Sequence, residues 1–428
     1  MAMRLPTKTM ELEGAMSRDD SISAQAIRVA RPEWAGIVTA SEAIGLEPDE
    51  LLHAGPRLRD PTDPPAVLLS SAVVTLVHEG RAADLGAAER LVRTGAVCLV
   101  PAQERGCALP LAFVASASTP MCVVTDAGLG GSQRFAPLTT LRGFDTRMGT
   151  RDEGLFARMS WRDTVIAPSL QEVLAAYGPL PLLPLANAGL AAGDDLHSRT
   201  TAANSALSAW LWGTGAANLS DDVEATPLFF LTLWMAACSL VLGSAERVEG
   251  STLISRAGGN GESFGIALAG APGQWLTIEA DPPRGRMAQR AHDGVEVCGA
   301  IGDSAIVDML GFGGQRLSWA PEPRQALEGF LPEALEGRAE QLLETLHPLI
   351  SPPWRVGIDV QRLEHLRLAP IVLLSMLARD GMTGFVGRGV YLPPLELFTD
   401  ALEALRTRPA EIPSPHPVDS GDKQSLHG

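Results

Sequence analysis

Four ionisable side chains lie within six positions of the segment AGDDLHSRTTAANSAL, residues 191–206: Asp194, Asp195, His197 and Arg199. A histidine that titrates near neutral pH can move a proton, and carboxylates can orient it. An arginine at the start of a helix can bind an anion. We therefore predict that His197 is a general acid or base oriented by Asp194 or Asp195, and that Arg199 binds an anionic substrate group.

The same residues also have a structural interpretation. An aspartate before a helix commonly accepts hydrogen bonds from the first backbone N–H groups, and either aspartate could act only as such an N-cap. On the predicted helix, one face carries four polar residues beside an apolar face: His197, Thr201, Asn204 and Ser208. This stripe is typical of a helix that lines a polar pocket or one that faces solvent, and it adds Asn204 to the candidate substrate-binding residues.

A glycine-rich turn follows further along the chain, in SRAGGNGESFGI, residues 255–266. Between two strand-like runs, the turn chemistry alone explains the glycines, and a hairpin is the plain interpretation. Glycines also let backbone amides approach a ligand closely. On that second interpretation Arg256 binds an anion, and the amides around Asn260 and Gly261 contact a substrate carbonyl oxygen.

The segment GAIGDSAIVDMLGFGGQR, residues 299–316, carries the third candidate. Its Gly-Asp-Ser sequence precedes an apolar run that ends in glycines, which is typical of a short capped helix. The functional alternative is a loop that presents Gly302, Asp303 and Ser304 to a polar substrate.

These segments belong to a chain for which we predict a mixed α/β, multi-domain fold. The expected organisation is a largely helical middle segment between two β-containing regions. Its proposed limits are a flexible N-terminus over 1–30, an N-terminal α/β domain over 31–160, a mainly helical segment over 161–248, a C-terminal α/β domain over 249–407 and a disordered tail over 408–428. A helix is also expected within 333–350, and the uncharged stretch 227–243 is expected to be a buried core helix.

Composition excludes several functional classes. The 428 residues carry a net charge of −16 and no cluster of lysine and arginine, so we expect no nucleic-acid partner. The five cysteines are odd in number and unspaced for zinc, which predicts reduced thiols, a cytoplasmic location and no metal. No dinucleotide or phosphate-loop fingerprint is present, so no cofactor is predicted, and no segment favours a membrane span.

Five segments, taken in order, resemble the YlbE-like family. They are the three above together with GLEPDELLHAGP at 45–56 and RVGIDVQRL…GRGVYLPPLELF at 355–398. The family is associated with FdrA-like proteins and includes a subunit of an oxamate carbamoyltransferase. The resemblance implies a subunit of an oligomeric carbamoyltransferase-type complex, with an FdrA-like partner and, as an option, a further small subunit. Its substrates would be carbamoyl phosphate and a small amide or amine acceptor.

One departure from the family bears on activity. Where many relatives carry Cys-His-His-His-Gly after a strand, this chain reads AQERG at 102–106. Two alternatives to a catalytic subunit follow: a non-catalytic scaffold that docks an FdrA-like partner, and a hydrolase of ureido or amide bonds that uses the His197 cluster.

Overall fold

The structure is a computed structural model that describes residues 18–128, 130–141, 143, 145–246 and 248–407. The predicted disordered tail and the first 17 residues of the predicted flexible N-terminus lie outside the described residues. The helices are α1 Arg18–Val29, α2 Ala40–Ile44, α3 Ala66–His78, α4 Leu85–Arg93, α5 Gly154–Trp161, α6 Ala167–Tyr177, α7 Leu182–Ala191, α8 Thr201–Gly213, α9 Ala217–Glu224, α10 Phe229–Gly243, α11 Ala305–Leu310, α12 Pro321–Ala326, α13 Arg338–Leu342, α14 Val360–Leu366 and α15 Leu395–Thr407.

The strands form several separate sheets. They are β1 Pro32–Thr39, β2 Glu50–His53, β3 Cys98–Pro101, β4 Pro120–Asp126, β5 Gln133–Pro137, β6 Leu180–Pro181, β7 Ile254–Asn260, β8 Ser263–Leu268, β9 Leu276–Glu279, β10 Arg284–Met287, β11 Ile301–Gly302, β12 Leu343–His347, β13 Trp354–Ile358, β14 Val372–Leu377 and β15 Phe385–Tyr391. Their orders are β5-β4-β1-β6, β10-β15-β14, β11-β7-β8-β9, β12-β13 and β2-β3. Only β2 and β3 pair in parallel among these strands.

This arrangement confirms the predicted mixed α/β, multi-domain class. From α5 to α10 the regular elements are helices apart from the two residues of β6, and sheets lie on both sides of this segment in the sequence. The predicted boundary at 160 falls inside a continuous helical stretch, because a π-helical turn at Arg162–Ile166 joins α5 to α6. The domain limits themselves stay a prediction.

The N-terminal limit differs from the prediction. Residues 18–29, assigned to a flexible segment, form α1. Ile27 is fully buried in the main hydrophobic core, and the hydroxyl of Ser23 donates to Ser251 Oγ at 2.8 Å. The polar sequence of α1 did not predict a helix, because the position of this helix depends on these tertiary contacts.

Helix α10 lies at the centre of the core. Every residue from 229 to 242 is buried, as expected for a helix that is apolar all round. Trp234 stacks on Phe230 at 5.9 Å between ring centroids and meets Phe312 edge-on at 5.2 Å. The predicted core helix is therefore confirmed. Among the described residues no single helix is long and apolar enough to span a membrane, although α9 and α10, which meet at 86°, pass that test as a bent pair.

The helix expected within 333–350 is wrong over most of its length, because only Arg338–Leu342 are helical. Helix α13 ends at Leu342, and the chain continues as β12, which pairs antiparallel with β13. The sequence LETLH has helical spacing, but Leu343 and Glu344 are buried in the strand pairing. Tertiary pairing here overrides local propensity.

Candidate functional site

Asp195 fixes the loop that carries His197. Its Oδ1 accepts the backbone N–H groups of His197 and Arg199, each at 2.9 Å, and its Oδ2 accepts the Ser198 hydroxyl at 2.5 Å. Leu196 adopts a left-handed backbone with φ of 64° inside this loop. Since both oxygens of the buried carboxylate are used, Asp195 positions the loop and does not orient the imidazole as predicted.

Asp194 caps helix α8, which is the structural alternative of the sequence analysis. Its Oδ2 accepts the N–H groups of Ala202 at 2.9 Å and Ala203 at 3.0 Å. Its Oδ1 accepts from Arg199 Nη1 at 2.7 Å. Arg199 is thus already paired and does not line the cavity that His197 faces. These contacts favour structural roles for Asp194 and Arg199, and the predicted roles of Asp194 as an orienting group and of Arg199 as an anion binder stay predictions.

The carboxylate beside His197 belongs instead to Asp308 in α11. His197 Nδ1 and Asp308 Oδ2 are 2.8 Å apart, an ion-pair distance at which the ring N–H is imperfectly aligned with the oxygen. Asp308 Oδ1 accepts the N–H of Gly314 at 2.8 Å and that of Leu373 at 3.3 Å. The carboxylate is therefore held by one oxygen and presents the other to the imidazole.

Gly313 allows this close approach. Its φ is 54°, and its N–H donates to the Asp195 carbonyl oxygen at 2.7 Å. A Cβ atom there would overlap the Asp308 carboxylate and would lie 2.9 Å from His197 Cβ. The hydrogen side chain leaves the space in which the Asp308 carboxylate and the imidazole meet.

Electrostatics couple His197 to Asp308. Burial disfavours the imidazolium, but the charges of Asp308 and, more weakly, Asp195 outweigh it and raise the pKa of His197. Burial is the dominant influence at Asp308 and raises the pKa of its carboxyl, although His197 and two backbone N–H groups favour the ionised form. The pair favours a proton held between Nδ1 and Oδ2, which leaves Nε2 as the nitrogen for exchange with a ligand.

His197 faces a cavity of about 260 Å³. Nine apolar side chains and Gly389 line it together with six polar residues, which are Arg147, His197, Ser198, Ser304, Ser375 and Arg388. Strands β14 and β15 form one wall, and the start of α10 forms another. A small apolar cavity with a few convergent polar groups is typical of a site for a small molecule.

Two arginines line this cavity in different states. Arg388 Nη1 donates to Glu322 Oε1 at 3.0 Å, and 46% of the Arg388 side chain is exposed. Arg147 Nε is buried and has no hydrogen-bond partner among the described residues. Arg147 is half-buried, and because an unpaired N–H of a guanidinium favours an incoming anion, Arg147 is the stronger candidate for an anion-binding group. No periodic pattern in the sequence indicates Arg147.

The three residues of the Gly-Asp-Ser segment have different roles, since one lines the cavity and two make structural contacts. Ser304 lines the cavity with His197. Asp303 is fully buried and accepts three N–H donors: Gly55 at 2.8 Å, Leu109 at 2.8 Å and Gln103 Nε2 at 2.6 Å. Gly302, with φ of 115°, has no room for a side chain against Leu111. Only Ser304 of the three predicted residues is thus placed to touch a ligand in this cavity.

The remaining candidates make structural contacts. Asn204 Nδ2 donates to the Val223 carbonyl at 2.6 Å, and Asn204 Oδ1 accepts from Phe230 N–H at 3.1 Å, so the side chain ties α8 to α9 and α10. Ser208 and Ser220 hydrogen-bond across the same helix pair at 2.9 Å. Asn204 and Ser208, two members of the polar stripe predicted to line a pocket, therefore join helices.

Arg256 and the glycine turn lie apart from this cavity. Arg256 Nε donates to Glu246 at 2.8 Å. Asn260 Oδ1 accepts the N–H of Glu262 at 3.0 Å and that of Ser263 at 2.7 Å, closing the β7–β8 hairpin. Gly261 lines a separate cavity of about 470 Å³. The hairpin alternative agrees with these contacts, and neither residue joins His197.

The AQERG segment, where the family resemblance implies histidines, makes hydrogen bonds and ion pairs with other segments. Gln103 Nε2 donates to Asp303 and to the Ala257 carbonyl at 2.9 Å. Glu104 pairs with Arg57 at 2.5 Å, and Arg105 pairs with Glu50 at 2.8 Å. In the part of the chain that the structure describes, no three histidine, cysteine or acidic side chains are grouped as metal ligands.

Known proteins resemble this chain at both the sequence and the fold level. The model of the family described as oxamate carbamoyltransferase subunit AllG matches residues 97–304. The chain is 28% identical over 402 residues to the oxamate carbamoyltransferase subunit AllG of Escherichia coli (strain K12), which covers 89% of this chain and 95% of that protein. It is also 28% identical over 379 residues to the uncharacterized protein YahG of the same strain, covering 84% and 79%.

One solved structure has the same fold. It is described as a conserved protein of unknown function from Enterococcus faecalis V583, and it aligns with a TM-score of 0.81 over 94% of this chain and 99% of that one, at 22% identity. The two relatives and the family match together support an AllG-like chain.

Proposed function

We propose that this protein is a subunit of a carbamoyltransferase-type complex and that carbamoyl transfer takes place in the cavity beside His197. The observation that carries the proposal is the His197–Asp308 pair beside a cavity that Arg147, whose Nε has no hydrogen-bond partner among the described residues, also lines. Similarity to a protein named as an oxamate carbamoyltransferase subunit supplies the reaction class. An FdrA-like chain is the proposed partner in a cytoplasmic complex.

Transfer from carbamoyl phosphate to an amide or amine requires three tasks. The acceptor nitrogen forms a bond to the carbamoyl carbon, the bond from that carbon to the phosphate oxygen breaks, and the acceptor nitrogen loses a proton. We assign the proton to His197 Nε2, because Nδ1 faces Asp308. Phosphate leaves with the electrons of the broken bond, and Arg147 is placed to stabilise that anion.

The hydroxyls add orientation. Ser304 lines the cavity, and its hydroxyl, unlike its carbonyl, has no hydrogen-bond partner among the described residues, so the O–H is available to a substrate carbonyl oxygen. The apolar lining excludes water, which strengthens these interactions and protects the carbamoyl group from hydrolysis. The site is small, near the lower limit of about 300–1,000 Å³ for ligand cavities, and this size suits small polar substrates.

The test is turnover of carbamoyl phosphate by the complex reconstituted with its partner subunits. His197→Ala should lower turnover about 10²–10⁴-fold, the range for a lost general acid or base. His365→Ala, at an exposed position on α14, is the matched control and should leave turnover unchanged. Full turnover by an assembled His197→Ala complex would contradict the catalytic role and would favour the scaffold.

Anion binding is separated from proton transfer by a second pair of variants. Arg147→Met should raise KM for an anionic substrate about tenfold or more, since a charge-assisted hydrogen bond contributes about 1.5–3 kcal/mol. Arg388→Met removes an arginine from the same cavity that is paired and half exposed, and its effect should be smaller. Equal effects of the two variants would contradict the assignment of Arg147.

A further inference from the structure

A third cavity lies away from His197, between the segment after α11 and strand β13. Its volume is about 210 Å³, and it shares no lining residue with the cavity beside His197. The residues that line it include Arg316, Trp319 and Trp354, together with Pro352 and Pro353. The proposed reaction uses none of these residues, and none of them has a role predicted from the sequence, although Arg316 is the last residue of the 299–316 segment.

Arg316 is the unusual group in this cavity. Its side chain is buried, with 2% of the residue exposed, and its Nε and Nη1 have no hydrogen-bond acceptor among the described residues. A guanidinium has five N–H donors in its plane, and leaving a buried charge without an acceptor is unfavourable. An acceptor supplied from outside the chain would remove this penalty.

The guanidinium of Arg316 lies over two tryptophan rings, which do not accept hydrogen bonds from its N–H groups. The guanidinium carbon lies 4.0 Å from the ring centroid of Trp354 and 5.2 Å from that of Trp319. Such cation–π contacts stabilise the charge above a ring and leave the in-plane N–H groups unpaired. The free donors and the stacked face together match a flat acceptor such as a carboxylate, which a guanidinium can bind with two parallel hydrogen bonds.

The two indole rings also form an aromatic corner. Their centroids are 4.7 Å apart with an interplanar angle of 80°, and Trp319 is 42% exposed while Trp354 is 5% exposed. The guanidinium of Arg316 lies in the angle between the two rings, so a ring bound beside that guanidinium can contact the exposed Trp319. This geometry favours a planar, apolar group attached to the anion.

Charge at the cavity mouth has both signs. Arg355 lines the cavity as a second cation and Glu340 as an anion. Glu340 makes no ion pair with Arg316 within 4.0 Å, so it does not replace a ligand carboxylate, although its charge acts on Arg316. Burial lowers the pKa of Arg316 to about 10, and the guanidinium stays charged at neutral pH. In a chain with a net charge of −16, this is a local cationic pocket.

We propose that this cavity is a second ligand site, which binds a small planar carboxylic acid with its carboxylate on Arg316 and its ring against the exposed Trp319. The site is separate from the proposed carbamoyl-transfer cavity and does not depend on that function. Its volume admits a single ring with one acidic group and excludes a whole nucleotide.

The experiment uses the full chain and sodium benzoate as the probe, with binding followed by titration calorimetry and tryptophan fluorescence. Saturable benzoate binding is expected, and benzamide, which has the same shape without the charge, should bind at least about tenfold more weakly. Arg316→Met should weaken benzoate binding about tenfold or more. Arg324→Met, which removes an arginine 44% exposed and paired with Glu336, is the matched control and should bind as the wild type does.

Two variants at exposed positions keep the test decisive if Arg316→Met does not fold. Glu340→Gln removes the competing anion and should tighten benzoate binding by about threefold. Trp319→Ala should weaken it. Absence of saturable benzoate binding to the wild type, equal binding of benzamide, or Glu340→Gln and Trp319→Ala titrations identical to the wild type would overturn the proposal. Tighter binding of N-acetyl-aspartate amide than of benzoate would also overturn it, because the pocket would then fit an acidic side chain of a partner protein.

Discussion

Asp303 and Asp308 are both fully buried carboxylates on one short segment, yet they do different work. Asp303 has both oxygens occupied by donors from three separate parts of the chain, at Gly55, Gln103 and Leu109. Asp308 uses one oxygen for two backbone N–H groups and presents the other to His197. The two carboxylates differ in their hydrogen-bond donors. Asp303 accepts only from backbone and amide N–H groups, which indicates a structural role, whereas Asp308 faces a titratable imidazole beside a cavity, which makes it a candidate for proton transfer.

The largest effect is expected for Asp303→Ala, which leaves three buried donors without an acceptor. Each unsatisfied buried group costs about 1–3 kcal/mol, so we expect a loss of about 3–5 kcal/mol in the free energy of unfolding. Denaturant unfolding at pH 8 measures it. Asp380→Ala is the control, because Asp380 also accepts two N–H groups and a hydroxyl but is exposed to solvent. Similar losses in the two variants would show that burial is not the reason.

Asp308→Asn should instead affect turnover, by about 10²-fold, with a smaller loss of stability than Asp303→Ala. The introduced amide keeps an oxygen for Gly314 but turns an NH₂ group toward His197 Nδ1. This favours the tautomer with the proton on Nε2, which cannot accept a proton from a substrate. Turnover of the reconstituted complex measures the change.

The same variant predicts a direction for the pH profile. The charge of Asp308 raises the pKa of His197, so its removal should move the acid limb of kcat/KM to lower pH. An unchanged acid limb in Asp308→Asn would show that the limb reports another group, and would break the distinction between the two aspartates.

Asp303 should be visible in the pH dependence of stability. Burial raises the pKa of its carboxyl to about 7, against the partial opposition of its three hydrogen bonds. Between the unfolded value near 4 and pH 7 the folded state holds a proton that the unfolded state releases, so stability falls as pH rises through this window. The stability advantage of the wild type over Asp303→Asn should therefore be about 2 kcal/mol larger at pH 5.5 than at pH 8. Parallel stability curves would contradict the raised pKa.

The smallest effect is expected for Arg199→Ala, below about 1 kcal/mol in unfolding and without change in turnover. Arg199 is 27% exposed, and its partner Asp194 keeps the N–H groups of Ala202 and Ala203. A tenfold rise in KM for carbamoyl phosphate in this variant would restore the anion-binding role that the sequence suggested, and would place the site nearer α8.

The sequence predicted the class of the fold, the core helix and the two segments that meet at the cavity. His197 and Ser304 do share it, and the hairpin at Asn260 follows from turn chemistry that is local. Local signals were reliable where one residue contacts its sequence neighbours. They failed at β12, where the pairing partner lies in β13, and at α1, whose burial depends on distant contacts.

The partner of His197 was missed for a related reason. Two aspartates lie close to His197 in the sequence, but their oxygens accept hydrogen bonds from nearby groups, including backbone N–H groups. The carboxylate beside the imidazole comes instead from α11. A signal was present: Asp308 interrupts the apolar run AIVDMLGF at 305–312, and a charge in such a run requires a buried partner. Arg147 offered no equivalent signal, since an arginine in a loop is ordinarily a surface residue.

Gly313 has a consequence for how far sequences of this type can diverge. It has no functional group, yet any Cβ atom at its position would press apart His197 and Asp308. His197 or Asp308 can be substituted singly, each with a partial loss of activity. Alanine at 313 would instead displace both members of the pair together. Among homologues that keep the histidine and the aspartate, selection should therefore hold this position to glycine as strictly as it holds either of them, and a homologue with a side chain there should have lost the pair.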